Sequence, residues 1–262
     1  MFFDLHTSGL LEGRTAVLTD NNPDLIACYT AVRDEPDAVI AELTILARHH
    51  EERGSRHYYE VRNERFNPQR RALVAAANGM AYTPSLAAMF IYLNRTGYNG
   101  LFRLNADGEF NVPAGRYPKP RICDADNVRG VAAALRGRGV TLAHRHFDRA
   151  LDDAGGDDFL YLDPPYAPLS ETARFTNYTA EGFDRRDQER LRDRMVTLAA
   201  RGCQVMMSNS TAPEITQLYA NHRGVADAGL RCHRVPARRA INSNASRRGT
   251  VAEYLITNIN RS

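Results

Sequence analysis

The sequence predicts an α/β fold with a largely parallel sheet, and three observations support that class. Short apolar runs alternate with longer amphipathic ones along most of the 262 residues. Two of the apolar runs end on an aspartate, Asp20 and Asp163, at the strand ends where open α/β sheets hold ligands. Apolar residues make up 43% of the chain, enough for a sizeable core, and no repeat, low-complexity tract or long linker interrupts it.

Thr15 to Leu18 is predicted as a strand ending at Asp20, and Pro23 then opens a helix, its fixed φ suiting the first helical position. Between Ser55 and Arg138 the texture changes, with Arg, Asn, Tyr and Gly prominent. Within that stretch Asp107-Gly108 joins two alternating segments, Leu101 to Ala106 and Glu109 to Val112, which is a hairpin signal. A basic, aromatic-flanked hairpin suits nucleic-acid contact and equally suits an ordinary surface turn. A short apolar run, Thr141 to Ala143, precedes Phe147, and Phe159 to Leu162 is a second strand that ends at Asp163. Arg186 to Ala200 is predicted helical, with Leu191, Met195 and Leu198 on one face. Gln204 to Met207 is a third strand, followed by the polar Ser208-Asn209-Ser210, and Val251 to Thr257 a late, antiparallel one.

Composition narrows the function classes. No apolar run is long enough to span a bilayer. Met1 to Leu11 has no basic n-region and carries Asp4, so a signal peptide is not indicated and cytoplasm is expected. Net charge is +3, and Lys119 is the only lysine. The arginines suit phosphate and guanine contacts, although genome base composition produces the same bias. Cys28, Cys123, Cys203 and Cys232 are far apart, which argues against a disulfide framework or a zinc site. His49-His50 and His144-x-His146 lack a third ligand at recognisable spacing, so no metal is expected. No Walker A loop, nucleophile elbow or H-E-x-x-H motif is present.

The sharpest chemical signal is Phe159-Leu160-Tyr161-Leu162-Asp163-Pro164-Pro165-Tyr166. An apolar strand delivers a carboxylate, and Pro164 and Pro165 stiffen the turn after it. Methylation of an exocyclic amine needs this arrangement, because the amine's lone pair is delocalised into its ring. Asp163 and the Pro164 carbonyl would each accept one amine hydrogen, proline keeping its acceptor while lacking a donor. Tyr166 would stack on a base taken out of the duplex. The competing reading is a structural Pro-Pro turn. Asp20 would hydrogen-bond ribose hydroxyls or cap the helix after it. Phe147 would pack on a cofactor adenine or belong to the core. Arg231, Arg234, Arg238, Arg239, Arg247 and Arg248 would neutralise phosphates or line a solvated loop.

Taken together these segments resemble the Dam-type (D12 class) DNA adenine-N6 methyltransferases over nearly the whole chain. Leu18-Thr19-Asp20-Asn21-Asn22-Pro23-Asp24-Leu25-Ile26 is similar to the family's second motif, and Asp163-Pro164-Pro165-Tyr166 to its catalytic tetrapeptide, continued by Ala167-Pro168-Leu169-Ser170. Phe175-Thr176-Asn177-Tyr178 also fits, as do Arg238-Arg239-Ala240-Ile241 and Arg248. The stretch from Tyr92-Leu93-Asn94-Arg95 through Tyr98-Asn99-Gly100-Leu101 to Gly115-Arg116-Tyr117 is similar to the family's DNA-recognition hairpin.

The resemblance implies a Rossmann-like S-adenosylmethionine-dependent core, residues 1–54 and 139–262, with an inserted helical and β-hairpin recognition domain, 55–138. It implies that Asp20, Phe147 and Asp163 face the cofactor. In the hairpin, Arg103 would read a base, with Leu101 and Pro113 beside it and Asn99 inserted near the target adenine. Arg95, Asn105, Arg116 and Lys119 would fix phosphates, and Tyr98 and Tyr117 lie in the same stretch. GATC is the leading expectation for the site in double-stranded DNA.

The sequence departs from the family at its start, where Met1-Phe2-Phe3-Asp4-Leu5 corresponds to residues after the family's glycine-rich cofactor loop. The expectation is a sheet short of a central strand, with its neighbours exposed. Two other classes of function are therefore weighed: a DNA-binding remnant with impaired catalysis, and a methyltransferase acting on another amine such as cytosine N4, RNA or a protein amide. A restriction endonuclease partner is left open.

Overall fold

The computed structural model describes residues 1–76, 79–168, 183–238 and 250–259. The chain divides into two compact units, 1–146 and 147–262, each with its own core.

The first unit contains α1 (Phe2–Thr7), β1 (Ala16–Asp20), α2 (Pro23–Asp34), α3 (Pro36–Arg53) and α4 (Ser55–Glu60). A wider helical stretch, Val61–Phe66, carries α4 into α5 (Asn67–Ala75), and α6 (Pro84–Thr96), α7 (Ala125–Leu135) and β2 (Val140–His144) follow. Helix starts are set by short polar side chains ahead of a proline or an acidic turn. The Asn22 side chain accepts from the Asp24 and Leu25 amides with Pro23 at the first helical position, and Thr83 accepts from Leu86 ahead of α6. Strands β1 and β2 pair in parallel from Ala16 opposite Val140 to Asp20 opposite His144. Val39, Leu43, Leu46, Leu86, Met89 and Leu93 are fully buried where α3 packs on α6. The same continuous core reaches from Ala27 to Ala132, so α2 and α3 share it with the segment after Ser55.

The second unit contains α8 (Phe147–Ala150), β3 (Phe159–Leu162), α9 (Arg185–Ala200), β4 (Gln204–Ser210), α10 (Pro213–Ile215), α11 (Arg223–Asp227), β5 (Arg231–Arg238) and β6 (Thr250–Thr257). Its strand order is β3-β4-β6-β5. Strand β3 runs parallel to β4, and β6 is antiparallel to both β4 and β5. The mixed α/β class follows, with a late antiparallel strand. Helix α9 begins at a reciprocal cap between Asp184 and Asp187, and its buried stripe is Gln188, Leu191, Met195 and Leu198.

Three details differ from the sequence reading. The described strands are not largely parallel, since β6 pairs antiparallel with both β4 and β5 and only β1 with β2 and β3 with β4 run parallel. Strand β4 continues through Ser208-Asn209-Ser210, because β6 pairs along it as far as Ser210 opposite Glu253 and the side chains of these polar residues are hydrogen-bonded. The arginine-rich segment opens as a strand, since β5 pairs with β6 from Arg231 to Arg238; Arg239, Arg247 and Arg248 lie outside the described residues. Strands β1 and β3 carry exposed apolar side chains, Val17 at 61% and Phe159 and Tyr161 near 40%, although parallel strands are ordinarily covered on both faces. Among the described residues no helix is long and apolar enough to cross a membrane.

Candidate catalytic loop and recognition hairpin

Strand β3 delivers Asp163 at its carboxyl end, and the pairing of Leu162 with Met207 places Ser208 alongside it. Ser208 Oγ donates to Asp163 Oδ1 at 2.9 Å, and the Tyr161 hydroxyl lies 3.2 Å from Ser208 Oγ. One carboxylate oxygen is thus fixed before any substrate arrives. The Tyr166 hydroxyl donates to Glu253 Oε2 at 3.3 Å, and burial pushes its pKa up, so the ring is held as a neutral phenol. Main-chain groups of the loop go to side chains of β4 and α9. Gln188 Nε2 donates to the Pro165 carbonyl at 3.1 Å, the Ala167 amide to Asn209 Oδ1 at 3.3 Å, and Ser210 Oγ to the Ala167 carbonyl at 2.6 Å. A loop with prolines at positions 164, 165 and 168 has few donors of its own, so its placement depends on these side chains.

Asp20 is half-buried at the carboxyl end of β1, and Oδ1 accepts the Asn22 amide at 2.7 Å. The helix cap is Asn22, which leaves Asp20 outside the capping role weighed for it. Burial raises the Asp20 pKa, partly offset by the Asn22 amide and by His144. The Phe147 ring packs in the core of the second unit, 5.6 Å from Phe183 and 5.5 Å from the Arg190 guanidinium.

The Asp107-Gly108 turn is present, closed by Asn105 Oδ1, which accepts the Asp107 amide at 3.1 Å and the Glu109 amide at 2.8 Å. The two arms meet at isolated bridges, Leu104 opposite Phe110 and Gly97 opposite Ala114, instead of a continuous ladder. The outer edge of the return arm, which faces away from the first arm, is taken up by helix side chains. Arg70 Nη1 donates to the Gly108 carbonyl at 2.6 Å. Asn67 brackets Phe110, giving Nδ2 to its carbonyl at 3.1 Å and taking its amide at 3.0 Å. Tyr58 and Arg62 both donate to the Val112 carbonyl at 2.9 Å. Residues 108, 110 and 112 are alternate positions on one edge, so four helical side chains do the work of a neighbouring strand.

Alternation also sorts the arms' side chains. Phe102, Phe110 and Val112 are buried, with Phe102 and Phe110 stacked near Phe90 and Phe66, while Leu101, Arg103 and Pro113 are exposed. Arg103 Nε donates to Asn111 Oδ1 at 2.8 Å, which orients the guanidinium from across the turn. Asn99 sits at φ 54°, ψ 20°, the only non-glycine with positive φ among the described residues, between the exposed Tyr98 and Leu101. Arg95, Arg116, Tyr117 and Lys119 are exposed on the flanks.

Sequence reasoning missed Asn67, Arg70, Gln188 and Asn209. The last two carried a usable signal. Gln188 occupies the first position of an otherwise apolar helical stripe, and Asn209 the third inward position after Val205 and Met207. A polar residue at a core position implies a hydrogen-bonded partner. His50 and His144 are engaged with the Tyr92 hydroxyl at 2.8 Å and the Asn21 carbonyl at 3.2 Å. Leu169-Ser170 and Phe175-Thr176-Asn177-Tyr178 lie outside the described residues, as does Ala240-Ile241.

The profile of the D12 class N6 adenine-specific DNA methyltransferases matches residues 1–241. The chain is 35% identical to the type II methyltransferase M1.LlaDCHI of Lactococcus lactis, over 95% of this chain and 81% of that protein. It is 34% identical to the type II methyltransferase M.MjaIII of Methanocaldococcus jannaschii, over 94% and 81%. It is 34% identical to the DNA adenine methylase of Escherichia coli K12, over 91% of this chain and 77% of that protein. An aspartate-proline-proline-tyrosine turn at a parallel strand's end, in a chain matched by that profile nearly throughout, leads to one assignment: this protein belongs to the D12 class of N6 adenine-specific DNA methyltransferases.

Proposed function

We propose that the chain flips adenine out of duplex DNA and moves a methyl group from S-adenosylmethionine to N6, with GATC as the site read. The observation that carries this reading is Asp163 at the carboxyl end of β3, one oxygen held by Ser208 and followed by the clamped Pro164-Pro165-Tyr166 loop. Bound cofactor supplies an electrophilic methyl on a sulfonium, so the residues need only prepare the amine. Asp163 Oδ2 and the Pro164 carbonyl accept the two N6 hydrogens, which draws the nitrogen toward tetrahedral and frees its lone pair. Tyr166 stacks on the base. The half-buried Asp20 carboxylate fits a ribose diol by its position at a parallel strand's end, and Phe147 is assigned to the cofactor's adenine.

The finer architecture belongs to the same proposal: a Rossmann-like core with residues 55–138 as the recognition insert. Within it Leu101, Arg103 and Pro113 face bases, Asn99 enters the stack, and Arg95, Arg116 and Lys119 hold phosphates, with Tyr98 and Tyr117 beside them. The Asn105 carbonyl is committed to the turn, so any DNA contact it makes falls to its amide.

The test is transfer of labelled methyl from S-adenosylmethionine to a GATC duplex, against a scrambled duplex and an Asp163→Ala chain, with the product hydrolysed to locate the methylated atom. GATC-dependent label on adenine N6 that vanishes with Asp163→Ala supports the proposal. Label on another base or atom, or undiminished label with Asp163→Ala, overturns it. DNA binding with no label from the unaltered chain gives the DNA-binding remnant instead.

A further inference from the structure

We propose that Gln188 and Asn209 are positioning residues for turnover: a buried amide relay that fixes the peptide units on either side of Tyr166. The proposal rests on the catalytic reading of Asp163 to Tyr166 given above.

The bonds form one directed chain. The Ala167 N–H donates to Asn209 Oδ1 at 3.3 Å, Asn209 Nδ2 to Gln188 Oε1 at 3.3 Å, and Gln188 Nε2 to the Pro165 carbonyl at 3.1 Å. The chain leaves the loop just after Tyr166 and returns just before it, closing a ring through two elements, α9 and β4. Neither amide can be reversed. Asn209 Oδ1 also takes the Ser210 N–H at 2.8 Å, so turning that amide would set its donors against two N–H groups. With Asn209 fixed, only one orientation of Gln188 leaves a donor for Pro165.

Burial makes the relay costly to place and costly to disturb. Gln188 is 2% exposed and Asn209 fully buried, and a buried amide is tolerated only when its hydrogen bonds are made. A leucine or valine at either position would serve packing as well. Instead two polar groups are spent on the Pro165 carbonyl and the Ala167 amide, the two backbone handles that set where the Tyr166 ring points. Ser210 adds a third hold on the Ala167 carbonyl, and it too is buried. Misplacement of a reacting group by about 1 Å costs on the order of a hundredfold in rate. The relay acts at that scale without contacting base or cofactor.

The experiment compares Gln188→Leu, Asn209→Leu and the double variant, with Gln188→Glu and Asn209→Asp as isosteric versions for use where a leucine form does not fold. Steady-state methylation of duplex DNA is measured per folded enzyme, with DNA binding titrated and thermal midpoints recorded. The expected result is a kcat lowered by about 10- to 100-fold, with KM for DNA changed by less than about threefold because recognition is untouched. The double variant should lose no more kcat than the worse single, as members of one relay are non-additive. A kcat per folded molecule within about twofold of the parent, or losses that simply multiply, would overturn the relay and leave a packing role. Asp163→Ala separates the two claims: if it stays active, the catalytic reading itself fails, whereas an inactive Asp163→Ala beside fully active Gln188 and Asn209 variants refutes only the relay.

Discussion

Arg70 forms a two-pronged ion pair with Asp24 in the interior of the first unit, Nε to Oδ1 at 2.6 Å and Nη2 to Oδ2 at 2.8 Å. Asp24 lies in the first turn of α2, and the third arginine nitrogen, Nη1, holds the Gly108 carbonyl at the hairpin turn. The Tyr82 hydroxyl donates to the same Asp24 oxygen that takes Arg70 Nε. A single guanidinium therefore ties the helix after Asp20 to the turn that presents Arg103. Removing one partner leaves a buried charge uncompensated, which costs about 3–5 kcal/mol. Arg70→Met and Asp24→Asn should each lower unfolding free energy on that scale in urea titrations. Arg70→Lys should restore little, since an ammonium cannot span the carboxylate and the carbonyl together. Losses below about 1 kcal/mol would show that the pair is not desolvated.

Arg103 and the flanking basic residues should differ in kind. Asn111 holds the Arg103 Nε, and under the proposed base-reading role the Nη edge would be the one presented to a guanine. Arg103→Ala should relax discrimination at one base pair by about 1–3 kcal/mol in methylation rates across single-substitution duplexes. Arg95→Ala and Lys119→Ala should weaken binding evenly across all duplexes and reduce the salt slope by about one. An even loss for Arg103→Ala would remove it from base reading.

Much of this was legible in the sequence, because the signals were local. A strand ending on Asp163 before two prolines, a strand ending on Asp20, and the Asp107-Gly108 turn each depend on neighbours within a few residues, and each is present. The supports were not legible for the opposite reason. Asn67 reaches Phe110 across 43 positions, Arg70 reaches Asp24 across 46, and Gln188 meets Asn209 only once α9 lies on β4. The helix grip on the hairpin has the same origin, since alternation predicts two arms but not that helix side chains will take the outer edge of one. Asn105 adds a role that the motif does not announce, its side-chain oxygen closing the turn while its Nδ2 donor takes no part in that closure.

Asn99 offers a way to separate backbone from side chain. Its left-handed conformation costs an ordinary residue about 1–2 kcal/mol and glycine almost nothing. Asn99→Gly should keep the thermal midpoint of the parent, whereas Asn99→Ala should lower it. Both should lose base-flipping efficiency, read as fluorescence of 2-aminopurine at the target adenine, if the amide enters the stack. Parent-like fluorescence and kcat in Asn99→Gly would show that the position matters only for its backbone.

His57 sets an acid limit on the first unit. Its side chain is buried, and Nδ1 lies 2.8 Å from Arg53 Nη2, which can only donate, so Nδ1 accepts and the proton resides on Nε2. Nε2 has no partner among the described residues, and the rings of His49 and Tyr92 stand 5.3 and 5.6 Å away. A second proton would have to occupy the nitrogen that faces Arg53. Burial, with the Arg53 charge behind it, accordingly depresses the pKa from 6.5 to about 4. The unfolded chain takes up a proton as pH falls through 6.5, while the native protein refuses it until about 4. Stability from this residue is therefore complete above 6.5 and drains away as pH falls toward 4, with a slope of at most about 1.4 kcal/mol per pH unit. Urea midpoints measured from pH 4.5 to 7.5 should rise less steeply for His57→Gln than for the parent. Parallel pH profiles would mean that His57 is not held neutral in the fold.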